Sequence, residues 1–386
     1  EILWFQRAVK AQFDYMPAYN DLLWSLRPRW DGSHREMIAL GLECLKTKRY
    51  DTCVPQFYLK CLSDVGDEQD SNNWRRVYHL PGTDKNMEGL FYGILSDKNL
   101  ADDQKNEIKL QAAFSFAWSG SYEKAKEALK DLPPKINIHH GLNHLSVAYY
   151  WETREELETE IRLFTGQNKD ACVKWLNVLL QNSSKEGIVA ATKNLFPILK
   201  GDNDGQRFIV SQMGLSLSNK ETENVKRDRP FNYAACSGIV DAAQLFVDAG
   251  FDLKKTPNQN SDWTPLSDAI IEEEFKMADF LISKGASIDD KTPNSMSSFL
   301  LMCRDGSLDS IKYTVSKGGN INAKDSYEEN ALHLACCRDN DSADIIKFLL
   351  AKGIDKTQKD KSGKTPVDYA NEHHCQANIN AISGAK

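Results

Sequence analysis

Long apolar runs are missing from this sequence. No stretch approaches the roughly 20 apolar residues that a membrane-spanning helix needs, so no membrane insertion is expected. The opening EILWFQRAVK has no basic segment leading into an apolar one, so it does not read as a secretory leader. An excess of basic charge is missing too. The formal net charge is -7, which argues against broad binding to a phosphate backbone, and no nucleic-acid partner is expected. The nine cysteines, Cys44, Cys53, Cys61, Cys172, Cys236, Cys303, Cys336, Cys337 and Cys375, form no regular framework. An odd, irregular set reads as reduced thiols in a cytoplasmic protein. Adjacent Cys336 and Cys337 are poorly placed to bond to each other.

The common catalytic signatures are missing as well. There is no GxxxxGK[ST] phosphate loop, no GxGxxG fingerprint and no G-x-S-x-G elbow. No cofactor is expected. Hydrophobic residues at 41% and charged residues at 27% can still bury a core and keep the surface wet. The 386 residues hold two or three ordinary domains, or a longer repeat array.

Self-similarity is what the sequence does have. The segments RPFNYAACSG, DWTPLSDAI, NSMSSFLLMC, EENALHLACC and SGKTPVDYA align on Pro230, Pro265, Ser298, Ala331 and Pro366, with steps of 35, 33, 33 and 35 residues. A second column, Gly250, Gly285, Gly318 and Gly353, runs in step with it at 35, 33 and 35. Apolar stretches at helical spacing lie between the columns. Thr264 and Thr365 suit the N-cap, and proline suits the first helical turn. The glycines suit a left-handed turn after the second helix. Small residues such as Ala234, Ala269, Ala335 and Ala370 allow close packing of successive first helices. Residues 225–386 thereby resemble the ankyrin repeat, with its T-P-L-H-x-A signature and period near 33. The resemblance implies about five helical hairpins, the last a solvent-facing cap. It places His333 in the histidine column and Leu300 in the same column of the third repeat.

Residues 1–198 read as helix after helix. A helical pair is expected in 37–62, turning near Lys46–Tyr50, and another in 108–134. The second carries Gly120, Tyr122 and Ala125, and this Gly-x-Tyr-x-x-Ala spacing resembles the tetratricopeptide repeat. The stretch LLWSLRPRWDGSHREM resembles a segment of a bacterial helical domain of unassigned function, with Asp31 departing from its glycine. Arg29 is expected to pair with a carboxylate and Trp30 to pack under the loop. Residues 66–86 read as the longest loop, and 199–224 as a junction with a short helix. The fold class expected is all-α: a helical-repeat solenoid of divergent hairpins (1–198), a helical junction (199–224) and ankyrin repeats (225–386).

Several clusters invite a chemical reading. His140 and His144 share one helical face with His139 nearby, but no catalytic glutamate sits between them as in HExxH. Glu372, His373, His374 and Cys375 fall where other repeats turn between helices, so no metal is expected there. The run KGDNDGQ lacks the carboxylate spacing of a calcium loop. Glu272, Glu273 and Glu274 read as a solvated acidic turn.

The resemblance implies binding of a protein partner on a concave face. The fingers before each first helix would offer Trp263, Met296, Tyr327 and Glu329, with Lys361 and Lys364 further along. The helix ends would offer Ile271, Glu272, Arg304, Asp305, Cys337 and Arg338. Aromatic and arginine side chains dominate interfaces. A non-enzymatic scaffold is therefore the leading reading. A bacterial immunity protein that neutralises a secreted toxin is a narrower one. An enzyme with its site near Arg27, Arg29 and His140 is the alternative from another class.

Overall fold

The computed structural model describes residues 2–69, 74–133, 136, 153–181, 184–217, 230–254, 263–338 and 342–384. The expected histidine cluster at 139–144 lies outside them. The chain divides into two compact units, Glu1–Phe208 and Ile209–Lys386. Both are helical throughout their described regular structure.

In the first unit α1 (Ile2–Ala11) and α2 (Met16–Ser25) form a hairpin, followed by a 3-10 turn at Pro28–Trp30. Then come α3 (His34–Lys46), α4 (Phe57–Gln69), a 3-10 helix at Trp74–His79, α5 (Thr83–Leu95), α6 (Asp102–Trp118) and α7 (Tyr122–Leu129). After these lie α8 (Arg154–Thr165), α9 (Lys169–Leu180), α10 (Lys185–Leu195) and α11 (Asn203–Ser216), which runs into the second unit. Both expected pairs are present, as α3 with α4 and α6 with α7. Local chemistry sets the starts. Ser33 accepts the Glu36 amide at 3.2 Å, and Thr153 with Glu156 forms a reciprocal capping box. Between α6 and α7, Gly120 has φ +75°, and a Cβ there would sit 3.2 Å from the His79 ring. Tyr122 and Ala125 are buried below it.

Two expectations for this unit need correction. Trp30 is 56% exposed and does not pack under its loop. Arg27 makes the lock. Its guanidinium bonds Asp64 at 3.0 Å and Glu68 at 3.1 Å while lying 4.4 Å from the centre of the Trp24 ring. Arg29 reaches Glu68 only at 3.8 Å and is half exposed. The 66–86 segment is not one loop. Val77 and Tyr78 are buried and pin the 3-10 helix, an apolar pair hidden among polar neighbours. The same helix supplies Arg75, which bonds the buried Glu160 of α8 at 2.9 Å; Tyr122 donates to the same carboxylate oxygen at 3.3 Å. Arg27→Ala should therefore cost about 1–2 kcal/mol, since it removes a hydrogen-bonding cation from two partly buried carboxylates and leaves Asp64 to Lys60 at 3.0 Å and Glu68 to His34 at 3.4 Å. Arg29→Ala should stay within about 0.5 kcal/mol, as an exposed pair contributes little. Urea unfolding of the two variants checks the contrast.

The described residues of the second unit form five helical hairpins. The inner helices are α12 (Pro230–Cys236), α14 (Pro265–Ile271), α16 (Ser298–Asp305), α18 (Ala331–Cys336) and α20 (Pro366–Glu372). The outer ones are α13 (Val240–Asp248), α15 (Phe275–Ser283), α17 (Leu308–Ser316), α19 (Ala343–Ala351) and α21 (Gln376–Ser383). Each inner helix packs on the next. Ala234, Ala269, Ala335 and Ala370 are fully buried along this seam, where a larger side chain would push the helices apart. The outer helices α13, α15, α17 and α19 end with Gly250, Gly285, Gly318 and Gly353, all at positive φ.

The N-cap column shows how one geometry is built from different residues. Thr264, Asn330 and Thr365 each receive help from the residue three positions on: their backbone amides donate to Ser267 Oγ, His333 Nδ1 and Asp368 Oδ2. Leu300 has no acceptor, so the third hairpin keeps only the forward half, with Ser297 Oγ accepting the Leu300 amide at 3.3 Å. The same column joins neighbouring repeats. His333 Nε2 donates to the Lys364 carbonyl at 3.2 Å, and Asn232 donates to the Trp263 carbonyl at 3.2 Å, 31 residues on in both cases. With Nε2 as donor, the neutral ring accepts the Asn330 amide at Nδ1, which also lies 2.8 Å from Asn330 Oδ1.

His333 is fully buried, and burial pushes its imidazole below the ordinary 6.5. The unfolded chain takes up this proton first, so stability is lost as pH falls through 6.5 toward the lower folded value. His333→Asn keeps a donor of the kind Asn232 provides and removes the titration. It should cost about 1–2 kcal/mol at pH 7. The gap to wild type should narrow between pH 7 and pH 5 in chemical denaturation.

Candidate protein-binding face

Three fingers among the described residues of the second unit are tight turns closed by their own backbone. Thr292, Asp325 and Asp360 donate their amides to the carbonyls four residues on, at Met296, Glu329 and Lys364. The side chain at the first position closes the turn again. Asp325 Oδ1 accepts the amides of Tyr327 (2.8 Å) and Glu329 (2.9 Å), and Asp360 Oδ1 accepts those of Ser362 (2.9 Å) and Lys364 (2.8 Å). Thr292 Oγ1 accepts the Met296 amide at 3.2 Å. Burial works against the Asp360 carboxylate, yet hydrogen bonds from Tyr369, Ser362 and the backbone bring it down to about 2.

The fingers are also tied to one another. Ser326 donates its amide to the Asn294 carbonyl at 3.1 Å, and Lys361 donates to the Tyr327 carbonyl at 3.0 Å. Lys361 Nζ adds a bond to the Ser326 carbonyl at 2.6 Å. These rungs leave the Tyr327 side chain outward and 64% exposed.

The expected contact residues separate into three groups. Tyr327 and Glu272 are exposed, and Asp305 stands exposed beside Arg304, to which it bonds at 2.8 Å. Trp263 and Ile271 are half-buried, and the Trp263 carbonyl serves the repeat joint described above. Met296, 2% exposed, leaves the face altogether, because the finger turns its side chain into the core. Glu329 is occupied: Tyr369 donates to it and to Asp360 (2.8 Å), while burial pushes the Glu329 carboxyl up. Arg338 is half-buried and donates to the Gly306 carbonyl at 2.7 Å, so it holds the turn of the previous repeat. Cys337 lies with Sγ 3.4 Å from His373 Nε2. Lys364 pairs with Glu372 at 2.7 Å.

Sequence reasoning missed Asp325, Asp360 and Tyr369. A signal for the aspartates exists: both stand five residues before an N-cap, at Asn330 and Thr365. Tyr369 left no such mark. Among the described residues, no group of three or more His, Cys, Asp and Glu side chains is placed to hold a metal ion. No described helix is long and apolar enough to cross a membrane.

Residues 189–292 and 299–383 match the family model described as ankyrin repeats. The C-terminal region carries ankyrin repeats, which are protein-interaction modules and typically non-catalytic. The chain is 38% identical over 81 residues to a putative ankyrin repeat protein of Acanthamoeba polyphaga mimivirus, covering 20% of this chain and 11% of that protein. It is 28% identical over 134 residues to alpha-latrocrustotoxin-Lt1a of Latrodectus tredecimguttatus, 34% of this chain and 9% of that one. A putative ankyrin repeat protein of Pyrobaculum aerophilum is 35% identical over 72 residues, 19% and 26% of the two chains. The chain thus spans about a quarter or less of each of these relatives.

The finger tips carry a strain that can be relieved. Ser295, Glu328 and Gly363 occupy equivalent positions with φ +60°, +64° and +82°. Only the last is glycine. Glu328 is exposed, so Glu328→Gly should raise stability by about 1 kcal/mol by removing the left-handed penalty. A shift of the urea midpoint to lower concentration would contradict it.

Proposed function

We propose that the protein is a non-enzymatic scaffold that binds a protein partner through the concave face of its ankyrin repeats. The observation that carries this reading is Tyr327. Its backbone closes and links the fingers, while its ring, 64% exposed, is not required by either bond. Tyrosine offers a large, stiff, amphipathic contact at little entropic cost, which suits a binding anchor. Exposed Glu272, Glu273 and Asp305 at the ends of two inner helices favour a partner with a basic surface. Arg338 and Glu329 move from contact residues to supports of that face, given their internal bonds.

The narrower assignments belong to the same proposal. Residues 1–198 serve as a tetratricopeptide-like helical domain, supported by the Gly120, Tyr122 and Ala125 arrangement between α6 and α7. Residues 199–224 form the junction and 225–386 the binding domain. A cytoplasmic location is supported by nine free thiols. Neutralisation of a secreted toxin would use the acidic helix ends against a basic enzyme, and it adds no residue to the site.

The test is affinity purification from the native host, followed by calorimetry with the recovered partner. Tyr327→Ala should leave thermal unfolding within about 0.5 kcal/mol of wild type. It should weaken binding about tenfold or more. Wild-type affinity in that variant would remove the finger face from the interface.

A further inference from the structure

Helices α1 and α2 fold back on each other across the turn at 12–15, with the Phe5 ring edge-on to Tyr19 at 5.0 Å. The open end of this hairpin holds the first turn of α1 and the last turn of α2, and the 3-10 turn at Pro28–Trp30 follows directly. Five of the eleven large apolar side chains that stand exposed among the described residues belong to these three turns: Ile2, Leu3, Trp4, Trp24 and Trp30. Such a concentration of exposed apolar surface marks a place where something docks. We propose that this end of the first unit is a docking surface for a lipid bilayer with anionic headgroups, which the protein touches without crossing it.

The arrangement of the side chains favours a fluid occupant over a folded one. Ile2, Leu3 and Trp4 follow one another along α1 and are 62%, 60% and 46% exposed. Consecutive residues of a helix project about 100° apart, so the three point to different sides of the turn. A groove on a folded partner covers one stripe of a helix, with anchors at every third or fourth residue. The boundary between headgroups and acyl chains has no fixed shape and can surround all three sides. Tryptophan suits that boundary, because its ring is apolar and its indole N–H is polar.

Charge selects the headgroup. The polar side chains of α1 are Gln6, Arg7 and Lys10, all exposed, and Ile2–Ala11 contains no acidic residue. The Arg29 guanidinium, half exposed, lies 4.6 Å from the centre of the Trp24 ring and so keeps its charge beside an exposed aromatic. Asp31 is exposed next to Trp30 and offsets Arg29. The preference for anionic lipid therefore rests on Arg7 and Lys10, each adding attraction to a negative surface. The surface belongs to the first unit, and the finger face to the second.

The test mixes the purified full chain with phosphatidylcholine vesicles and with phosphatidylcholine–phosphatidylserine vesicles at about 0.1 M salt, and reads co-sedimentation. Leu3→Asp with Trp4→Ala should lower binding about tenfold or more on both kinds of vesicle, because binding scales with the apolar area that enters the interface. Arg7→Gln with Lys10→Gln should lower it about tenfold on the anionic vesicles alone. All four side chains are exposed, so the circular dichroism of both variants should match wild type. Where it does not, wild type decides: vesicles with brominated acyl chains must quench its tryptophan emission, and unchanged emission overturns the proposal. Equal sedimentation with and without vesicles also overturns it, as does binding that either variant leaves unchanged. Sedimentation velocity without lipid supplies the last outcome: a dimer that Leu3→Asp with Trp4→Ala abolishes assigns the surface to a second copy and overturns the lipid assignment.

Discussion

The bond from the histidine column to the next finger is the directional constraint at the first and last joints of the ankyrin half. His333 satisfies its own N-cap amide with one ring nitrogen and the Lys364 carbonyl with the other. A single buried side chain thereby sets where its helix starts and where the following repeat begins. Asn232 performs the second task three hairpins earlier, reaching the Trp263 carbonyl. Without such a bridge the Trp263 and Lys364 carbonyls would each have one partner fewer, a cost comparable to the whole contribution of a helix cap. The apolar seam of alanines supplies attraction but no register, because attraction between smooth surfaces is non-directional.

The repeat half was legible in sequence because its physics is periodic. Proline at the first helical turn, small residues on the seam and glycine after the outer helix recur at steps of 33 to 35 residues, and the structure places each where those steps require. Chemistry that recurs in function but not in letter was harder to see. Ser267, His333 and Asp368 accept the same kind of bond, yet no alphabet groups them. The individual contacts of the face were less legible still. Met296 sits in a finger like Tyr327, but it is the closing residue of its turn, next to the N-cap, and is buried, whereas Tyr327 stands near the tip and is exposed. Glu329 and Arg338 read as free charges until the partner across the repeat boundary is known, and Tyr369 and the Gly306 carbonyl stand 40 and 32 residues away.

In the first unit the important contacts are irregular and long-range. Arg27 holds carboxylates 37 and 41 residues further on, and Arg75 meets Glu160 after 85 residues. No local pattern distinguishes Arg27 from Arg29, since both flank the same proline. The difference is one of closeness: Arg27, before the 3-10 turn, bonds Asp64 and Glu68 of α4, whereas Arg29, within the turn, comes only to 3.8 Å of Glu68 and stays half exposed. The helical pairs were readable from Gly120 and from apolar spacing. The short helix at Trp74–His79 was not, because six residues are too few to show a period.

The finger ladder separates two kinds of information. Its main rungs run from amide to carbonyl, so Ser326, Tyr327 and Lys361 hold position through backbone atoms, with Lys361 Nζ adding one side-chain bond. The Tyr327 side chain is left out of that arrangement. A lineage can therefore rewrite Tyr327 or its neighbours, and with them the identity of whatever docks, without reopening the question of whether the repeats stack. Recognition in this half of the molecule is inscribed on a scaffold that does not read it.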